Sequence, residues 1–312
     1  MKRSLIAALA ALLAACSREE APAAAAQAAA KPATTTPAAP TARPSGKAGL
    51  HAQLMHAVFG DAYRPGRGDA LADLPDEQSA GAVFAAVQTA ADSLRLPSGD
   101  TVLVVAGEQA DDNGEPASSH AASGHLSFYL LRPDNGGWKV LRRQENVAQL
   151  GSHGSVGMLS WVTLPDGRPL LAAQHGGTWQ GYSITTLSLF DPAAEKIADL
   201  AGIALHSDSE GGCNPEGGHC WNVEAEWHFE PAPAGGKYPD LVLDFKGYDM
   251  PEREGAQESA EEVQASGDGQ HEAGEETHEA ARERRAIAGS ARYRFEHDKY
   301  QLKEGANLVP SV

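Results

Sequence analysis

Apolar and polar residues alternate in short runs after about residue 100, and turn residues separate the runs. In the clearest run, every second residue from Trp221 to Phe229 is apolar and the residues between are Asn, Glu or His. Successive side chains of a strand point to opposite faces, so this run predicts a strand with one buried face. Further strands are predicted at residues 101–106, 126–131, 138–142, 159–164, 170–173, 183–190 and 241–245, before a last hairpin with Tyr293, Phe295, Tyr300 and Leu302.

Turn signals between these runs predict antiparallel pairing. Residues 133–137 read Pro-Asp-Asn-Gly-Gly, and residues 165–168 read Pro-Asp-Gly-Arg, which are typical of hairpin connections. We therefore predict one mainly β domain, residues 49–312, built as a sandwich or an irregular antiparallel sheet. A propeller-like arrangement is the alternative.

Two short helices are expected before the strands. Apolar residues recur at helical spacing up to Gly60, and again before Pro97, with a loop at residues 64–68 between the two segments. The first segment carries Leu50, Leu54, Val58 and Phe59, and the second carries Val83, Phe84, Val87, Ala91 and Leu94.

The N-terminus has the composition of an export signal. Lys2 and Arg3 precede the apolar run 5–15, which is too short for a helix that crosses a hydrocarbon core of about 30 Å. Small residues lead to Cys16, and this segment resembles the lipobox of bacterial lipoproteins. The resemblance implies that residues 1–15 are removed and that Cys16 is acylated. The alternative is a plain secretory peptide with a chance cysteine.

Residues 16–48 are rich in alanine, proline and threonine, which predicts a disordered tether after Cys16. In Gram-negative lipoproteins an aspartate after the acylated cysteine favours the inner membrane, whereas this chain has Ser17. The resemblance therefore implies a protein held on the outer membrane by its lipid and facing the periplasm.

The remaining cysteines, Cys213 and Cys220, lie in a turn-rich loop. An exported protein meets an oxidising compartment, so we predict a disulfide between them. The alternative is a redox or metal pair that includes His219, although the cysteine spacing is wider than in thioredoxin-like or zinc motifs.

Charge argues against nucleic acid as a partner. The formal net charge is -17, and no cluster of lysine and arginine offers a phosphate-binding surface. Residues 251–290 hold eleven acidic and four basic residues, which predicts a solvated, disordered insertion in the domain. His271, Glu275 and His278 would share a helical face there, so weak metal binding is an alternative to a simple charged segment.

Two segments, residues 164–171 and 235–243, resemble the turn and strand of FG-GAP or VCBS propeller repeats. Calcium loops of that family carry several closely spaced aspartates. Here only Asp166 or Asp240 matches, so calcium binding does not carry over and no cofactor is expected.

Residues 170–179, which include His175-Gly176-Gly177, resemble the strand and oxyanion turn of α/β-hydrolase esterases. Such enzymes also need a G-x-S-x-G nucleophile elbow downstream, and the chain has none. A different interpretation is a ligand groove lined by His153, His175 and Trp179, against the simpler one of a glycine-rich loop with Trp179 in the core.

We therefore predict a lipid-anchored envelope protein that acts as a non-catalytic binding or accessory module. Its partners would be the membrane, through the lipid, and an envelope protein or small ligand. The alternative is an esterase-like envelope hydrolase that uses the loop at His175.

Overall fold

The computed structural model describes residues 46–76, 79–117, 119–214, 218–252 and 283–311. The predicted mainly β class is confirmed, because these residues form fourteen strands and one α-helix. Within these ranges no helix is long and apolar enough to span a membrane. Cys16, the predicted signal and the predicted tether up to residue 45 lie outside the described residues, while the last residues of the predicted tether already belong to a helix that begins at Lys47.

The strands form two antiparallel sheets in which each strand pairs with its neighbours in sequence. Helix α1 (Lys47–Phe59) precedes the six-stranded sheet β1 (Tyr63–Arg64), β2 (Asp69–Pro75), β3 (Val83–Arg95), β4 (Thr101–Gln109), β5 (Gly124–Asp134) and β6 (Gly137–Leu150). The eight-stranded sheet contains β7 (Met158–Thr163), β8 (Pro169–Trp179), β9 (Tyr182–Phe190), β10 (Ile203–Asp208), β11 (Cys220–Glu230), β12 (Asp240–Met250), β13 (Arg285–Glu296) and β14 (Lys299–Gly305). Two continuous meanders are not the repeated four-stranded blades of a propeller.

Helix α1 confirms the first predicted helix. It buries Leu54, Met55 and Val58 against one face of the six-stranded sheet, where Tyr129 and Leu131 belong to the same cluster. It ends at the predicted glycine, Gly60, whose φ of 55° continues no right-handed helix. No side chain caps the N-terminal end of the helix, so burial of this apolar stripe is its main source of stability.

The second predicted helix is wrong, because its residues form β3. Its apolar spacing fits a helix, yet the whole segment pairs with β2 and β4, and a bulge between Ala90 and Asp92 absorbs an extra residue. Ala86, Val87 and Gln88 are all buried. Three consecutive buried residues and a bulge leave no strict alternation, so the sequence period there misled the prediction.

The predicted hairpins are confirmed at their turns. Asn135 and Gly136, between β5 and β6, both have positive φ (45° and 79°), as a type I′ turn requires. Gly167, between β7 and β8, has a φ of 83°. The alternation of β11 is also confirmed, because Ala225, Trp227 and Phe229 pack on the core while Glu224 and Glu226 are exposed.

Three apolar clusters hold the layers together. The six-stranded sheet carries α1 on one face and meets the eight-stranded sheet on the other, where Phe128 and Phe190 have ring centroids 5.7 Å apart. The second sheet builds a further cluster around Leu187, Leu243 and Tyr293. The three clusters extend from Leu50 in α1 to Val309 near the end of the described residues.

Strand β13 begins at Arg285, so the last six residues of the predicted acidic insertion 251–290 belong to the sheet. Its ladder with β12 ends at the pair Asp249 and Arg285. Residues 253–282, which include His271, Glu275 and His278, lie outside the described residues.

Candidate functional site

Residues 151–157, which we call the connector, lead from β6 of the first sheet to β7 of the second. The connector lies directly on the backbones of β5 and β8. A Cβ at Gly157 would stand 2.3 Å from the Gln174 carbonyl oxygen, and one at Gly124 would stand 2.5 Å from the Gly154 oxygen. The glycines therefore permit an approach that any side chain would prevent, and the connector packs closely on the strands beneath it.

His175 joins the connector to the interior through a chain of hydrogen bonds. The Gly151 N–H donates to His175 Nδ1 (3.2 Å), so the ring proton is assigned to Nε2, which donates to Ser188 Oγ (2.9 Å). The Ser188 hydroxyl donates to Asp199 Oδ2 (2.8 Å). The Asp199 carboxylate also accepts from the backbone N–H of Leu189 (3.1 Å). We call His175, Ser188 and Asp199 the inner chain.

Burial favours the neutral form of His175. Burial lowers the pKa of His175 below its usual value of 6.5, and the nearby Asp199 carboxylate offsets part of that shift. A neutral ring agrees with an Nδ1 that accepts from Gly151. Because both nitrogens and the Ser188 hydroxyl are engaged, the inner chain ties three segments together and leaves no ring nitrogen facing a substrate in this arrangement.

The predicted loop at His175-Gly176-Gly177 is wrong, since all three residues lie within strand β8. Gly176 pairs with Thr185 and Gly177 with Ile184 across the β8–β9 ladder. A Cβ at Gly176 would stand 1.8 Å from the Ile184 oxygen, so this position needs glycine for close packing. An oxyanion turn presents free N–H groups in a bend, which a paired strand does not provide.

His120, which was not predicted from the sequence, lies between His153 and Trp179 of the predicted groove and contacts both rings. The rings of His120 and His153 meet edge to face with centroids 4.7 Å apart, and His120 lies 6.2 Å from the Trp179 ring. His120 Nε2 lies 2.9 Å from the Thr178 carbonyl oxygen, which fixes this ring on the end of β8. No spacing signal links residue 120 to the others, because the turn before β5 alone places it here.

We call His120, His153 and Trp179 the outer cluster. All three are exposed, and 38% of Trp179 is accessible, so this indole is not a core residue as the simpler interpretation held. His175 belongs instead to the inner chain beneath the connector. Of the predicted groove residues, His153 and Trp179 are therefore exposed, whereas His175 is half-buried and hydrogen-bonded within the fold.

A shallow cavity of about 360 Å³ adjoins the outer cluster along β8, β9 and β10. Polar and apolar groups both line its walls. Thr178 and Ser183 hydroxyls are 2.9 Å apart, and His206 Nε2 lies 3.5 Å from Asp208 Oδ2. These groups offer hydrogen-bond donors and acceptors to a polar ligand. The remaining lining residues are Gly157, Gln174, His175, Gly176, Gly177, Ile184 and Thr185.

The predicted disulfide between Cys213 and Cys220 is present, with the two Cα atoms 5.2 Å apart. The residues that directly precede Cys213 support the β8–β9 hairpin, because a Cβ at Gly181 would stand 2.2 Å from the Gly212 nitrogen. His219 lies against Asp249 (Nε2 to Oδ1, 2.5 Å) and not on the sulfur atoms. Within the described residues, no three His, Cys, Asp or Glu side chains are placed to hold a metal ion.

The two segments that resemble FG-GAP or VCBS repeats meet at a separate cavity of about 290 Å³. Arg168 donates to the Lys237 carbonyl oxygen (2.6 Å) across it. Asp166 accepts from Arg168, whose backbone N–H and then guanidinium hold the pKa of Asp166 below its usual value. Asp240 accepts two bonds from Arg294 (3.2 and 3.1 Å). Both carboxylates thus already have cationic partners.

Comparisons with known proteins assign no family to this chain. No protein-family model matches it, and neither a curated protein nor a solved structure is similar to it.

Proposed function

We propose that this chain is a lipid-anchored protein of the bacterial envelope whose sandwich-like domain binds a polar ligand at the outer cluster and the adjoining cavity. The lipobox-like segment before Cys16 supports the anchor, and a disulfide between Cys213 and Cys220 fits an oxidising compartment. Ser17 favours the outer membrane, with the domain facing the periplasm. A single acyl group binds membranes weakly, so stable anchoring needs more than one acyl group on Cys16.

The observation that carries the binding proposal is the exposure of three rings on rigid supports. Exposed aromatic side chains beside convergent polar groups are typical of binding surfaces. The connector, the β8–β9 hairpin and the disulfide loop fix the outer cluster through backbone contacts too close for any side chain. A ligand would therefore meet a preorganised surface and lose little binding free energy to ordering it.

The hydrogen bonds of His175 favour binding over the esterase-like alternative. A serine hydrolase needs a hydroxyl that donates to a histidine acting as base. Here Ser188 donates to Asp199 and accepts from His175, which reverses the required direction. Ser188 is also only 1% exposed, so no substrate carbonyl reaches it in this arrangement.

The test of binding uses the chain from Lys47 to Val312, immobilised and exposed to an extract of host membrane and periplasm, with bound molecules identified by native mass spectrometry. We expect retention of a specific molecule by the parent chain and its loss in Trp179→Ala and in His153→Asn. Asparagine is chosen because His153 has a φ of 53°, which asparagine tolerates. His56→Ala, an exposed histidine on α1, is the matched control and should retain the ligand.

Retention by the Trp179 and His153 variants, or turnover of ester or glycoside substrates that is abolished by His175→Gln, would contradict the binding proposal. The anchor is tested separately by mass spectrometry of the protein from its native membrane. We expect an acylated N-terminal Cys16, and an unprocessed Met1 start would overturn this part.

A further inference from the structure

Four sheet edges end the two meanders, and three of them are protected. Strand β1 is only two residues long. Strand β14 carries the exposed charges Lys299, Lys303 and Glu304, which oppose pairing with another strand. On β6, Arg142 donates to the Pro192 and Ala194 carbonyl oxygens (both 2.7 Å) and Gln144 donates to Glu195, so a loop covers that edge.

The fourth edge, β7, has none of these protections. Its six residues, Met-Leu-Ser-Trp-Val-Thr, include no charge and no proline. It is the terminal strand of the eight-stranded sheet and pairs only with β8 among the strands described. An exposed uncharged edge of this kind is a template for pairing with another chain.

The register identifies which backbone groups face outward. Leu164 N–H donates to the Arg168 oxygen, and in an antiparallel ladder every second residue bonds to the same neighbour. Val162, Ser160 and Met158 therefore bond to β8. The N–H and C=O groups of the residues between them point away from β8, and the described part of the chain offers them no hydrogen-bond partner. These residues are Leu159, Trp161 and Thr163.

We infer that β7 is a docking edge for β7 of a second copy of this chain, paired antiparallel about a twofold axis at Trp161. Leu159 of one copy would then face Thr163 of the other, and Trp161 would face its own counterpart. This register satisfies every outward N–H and C=O group of both strands, as an isologous interface requires. The two eight-stranded sheets would join into one continuous sheet.

Self-complementarity favours a second copy as the occupant. The outward positions of β7 are evenly spaced about Trp161, so rotation about that residue places each outward N–H opposite an outward C=O of the same strand in the other copy. The formal net charge of -17 opposes association through most surfaces, but the β7 edge carries no charge and adds no local repulsion. Among the sheet edges of the described residues, β7 alone presents neither charges nor a covering loop.

The experiment measures dimerisation of the chain from Lys47 to Val312 by sedimentation equilibrium, and amide hydrogen exchange at low and high protein concentration. We expect a concentration-dependent dimer in which the amides of Leu159, Trp161 and Thr163 become protected, while those of Ser160 and Val162 are protected in both states. Monomer at all concentrations would overturn the inference.

Two variants test the edge itself. Ser160→Lys adds a charge to an exposed position of β7, and Thr163→Pro removes an outward N–H without breaking a bond to β8, because Thr163 faces Pro169. Each should weaken dimerisation at least tenfold, whereas Gln301→Lys on the edge strand β14 should not. A dimer that persists in both β7 variants would overturn the inference. His153→Asn should leave the dimer intact, which separates this result from that of ligand binding.

Discussion

The inner chain bonds to the connector at Gly151, the outer cluster includes His153 of the connector, and the two groups use histidine in different ways. His175 is half-buried, with both ring nitrogens hydrogen-bonded between Gly151 and Ser188. His120 and His153 are exposed and contact each other and Trp179 through their ring surfaces. Burial and hydrogen-bond partners, and not residue type, therefore distinguish a histidine that stabilises the fold from histidines that are available to a ligand.

The largest loss of stability is expected where the connector touches β8. Gly157→Ala places a Cβ 2.3 Å from the Gln174 oxygen at a φ of 80°, so strain and overlap together should cost about 3 kcal/mol or more. Gly167→Ala is the matched control, because its φ is 83° with open space around it. Chemical denaturation should show a clearly smaller loss for Gly167→Ala, and equal losses would show that close packing is not the cause.

The second largest loss of stability is expected at Asp199, the hydrogen-bond acceptor of the inner chain. Asp199→Ala leaves the Ser188 hydroxyl and the backbone N–H groups of Leu189 and Ala201 without their acceptor, which should cost about 2 to 4 kcal/mol. Asp199→Asn keeps one carbonyl oxygen and should fall between the parent and the alanine variant. If thermal unfolding ranks the alanine variant equal to the parent, the inner chain does not support the fold.

The inner chain also predicts a pH dependence. Burial lowers the pKa of His175 from 6.5, so the unfolded chain takes up this proton at a higher pH than the folded chain does. The stabilisation is complete above pH 6.5 and is lost as pH falls toward the lower pKa of the folded state. The free energy of unfolding should therefore decline below pH 6.5, and less steeply in His175→Gln.

The smallest changes in stability are expected from the outer cluster. His120→Ala and His153→Asn remove exposed rings, and each should alter the free energy of unfolding by about 0.5 kcal/mol or less. Both should still abolish ligand retention. A large fall in melting temperature in either variant would place these rings in the supporting structure and remove the contrast with the inner chain.

Deletion of residues 253–282 should be similarly mild. The β12–β13 ladder holds to Asp249 and Arg285, and the residues left between its ends are few enough to close a hairpin. The melting temperature should change by no more than about 4 °C, equivalent to about 1 kcal/mol. Collapse of the fold would show that the deleted segment stabilises the sheets.

Local signals in the sequence were sufficient for several strands with one exposed face and for the hairpin turns, whereas β2 and β10 were not predicted. The alternation of β11 and the Asn135-Gly136 turn are examples, since each depends on neighbours in sequence. Strand β3 was not predictable from its period, because three successive residues at its centre are buried and a bulge follows them. Within the site, His153 and Trp179 were found from their glycine-rich surroundings, whereas His120 joins them only through the fold.

The most direct test of the account compares two variants of the chain from Lys47 to Val312 in one experiment, His120→Ala with His153→Asn against Asp199→Asn. Melting temperature and ligand retention would be measured on the same samples. We predict that the outer pair keeps the melting temperature of the parent and loses the ligand, while Asp199→Asn, which lies outside the cavity, is less stable yet retains the ligand when folded. Retention by the outer pair together with loss in folded Asp199→Asn would contradict the account.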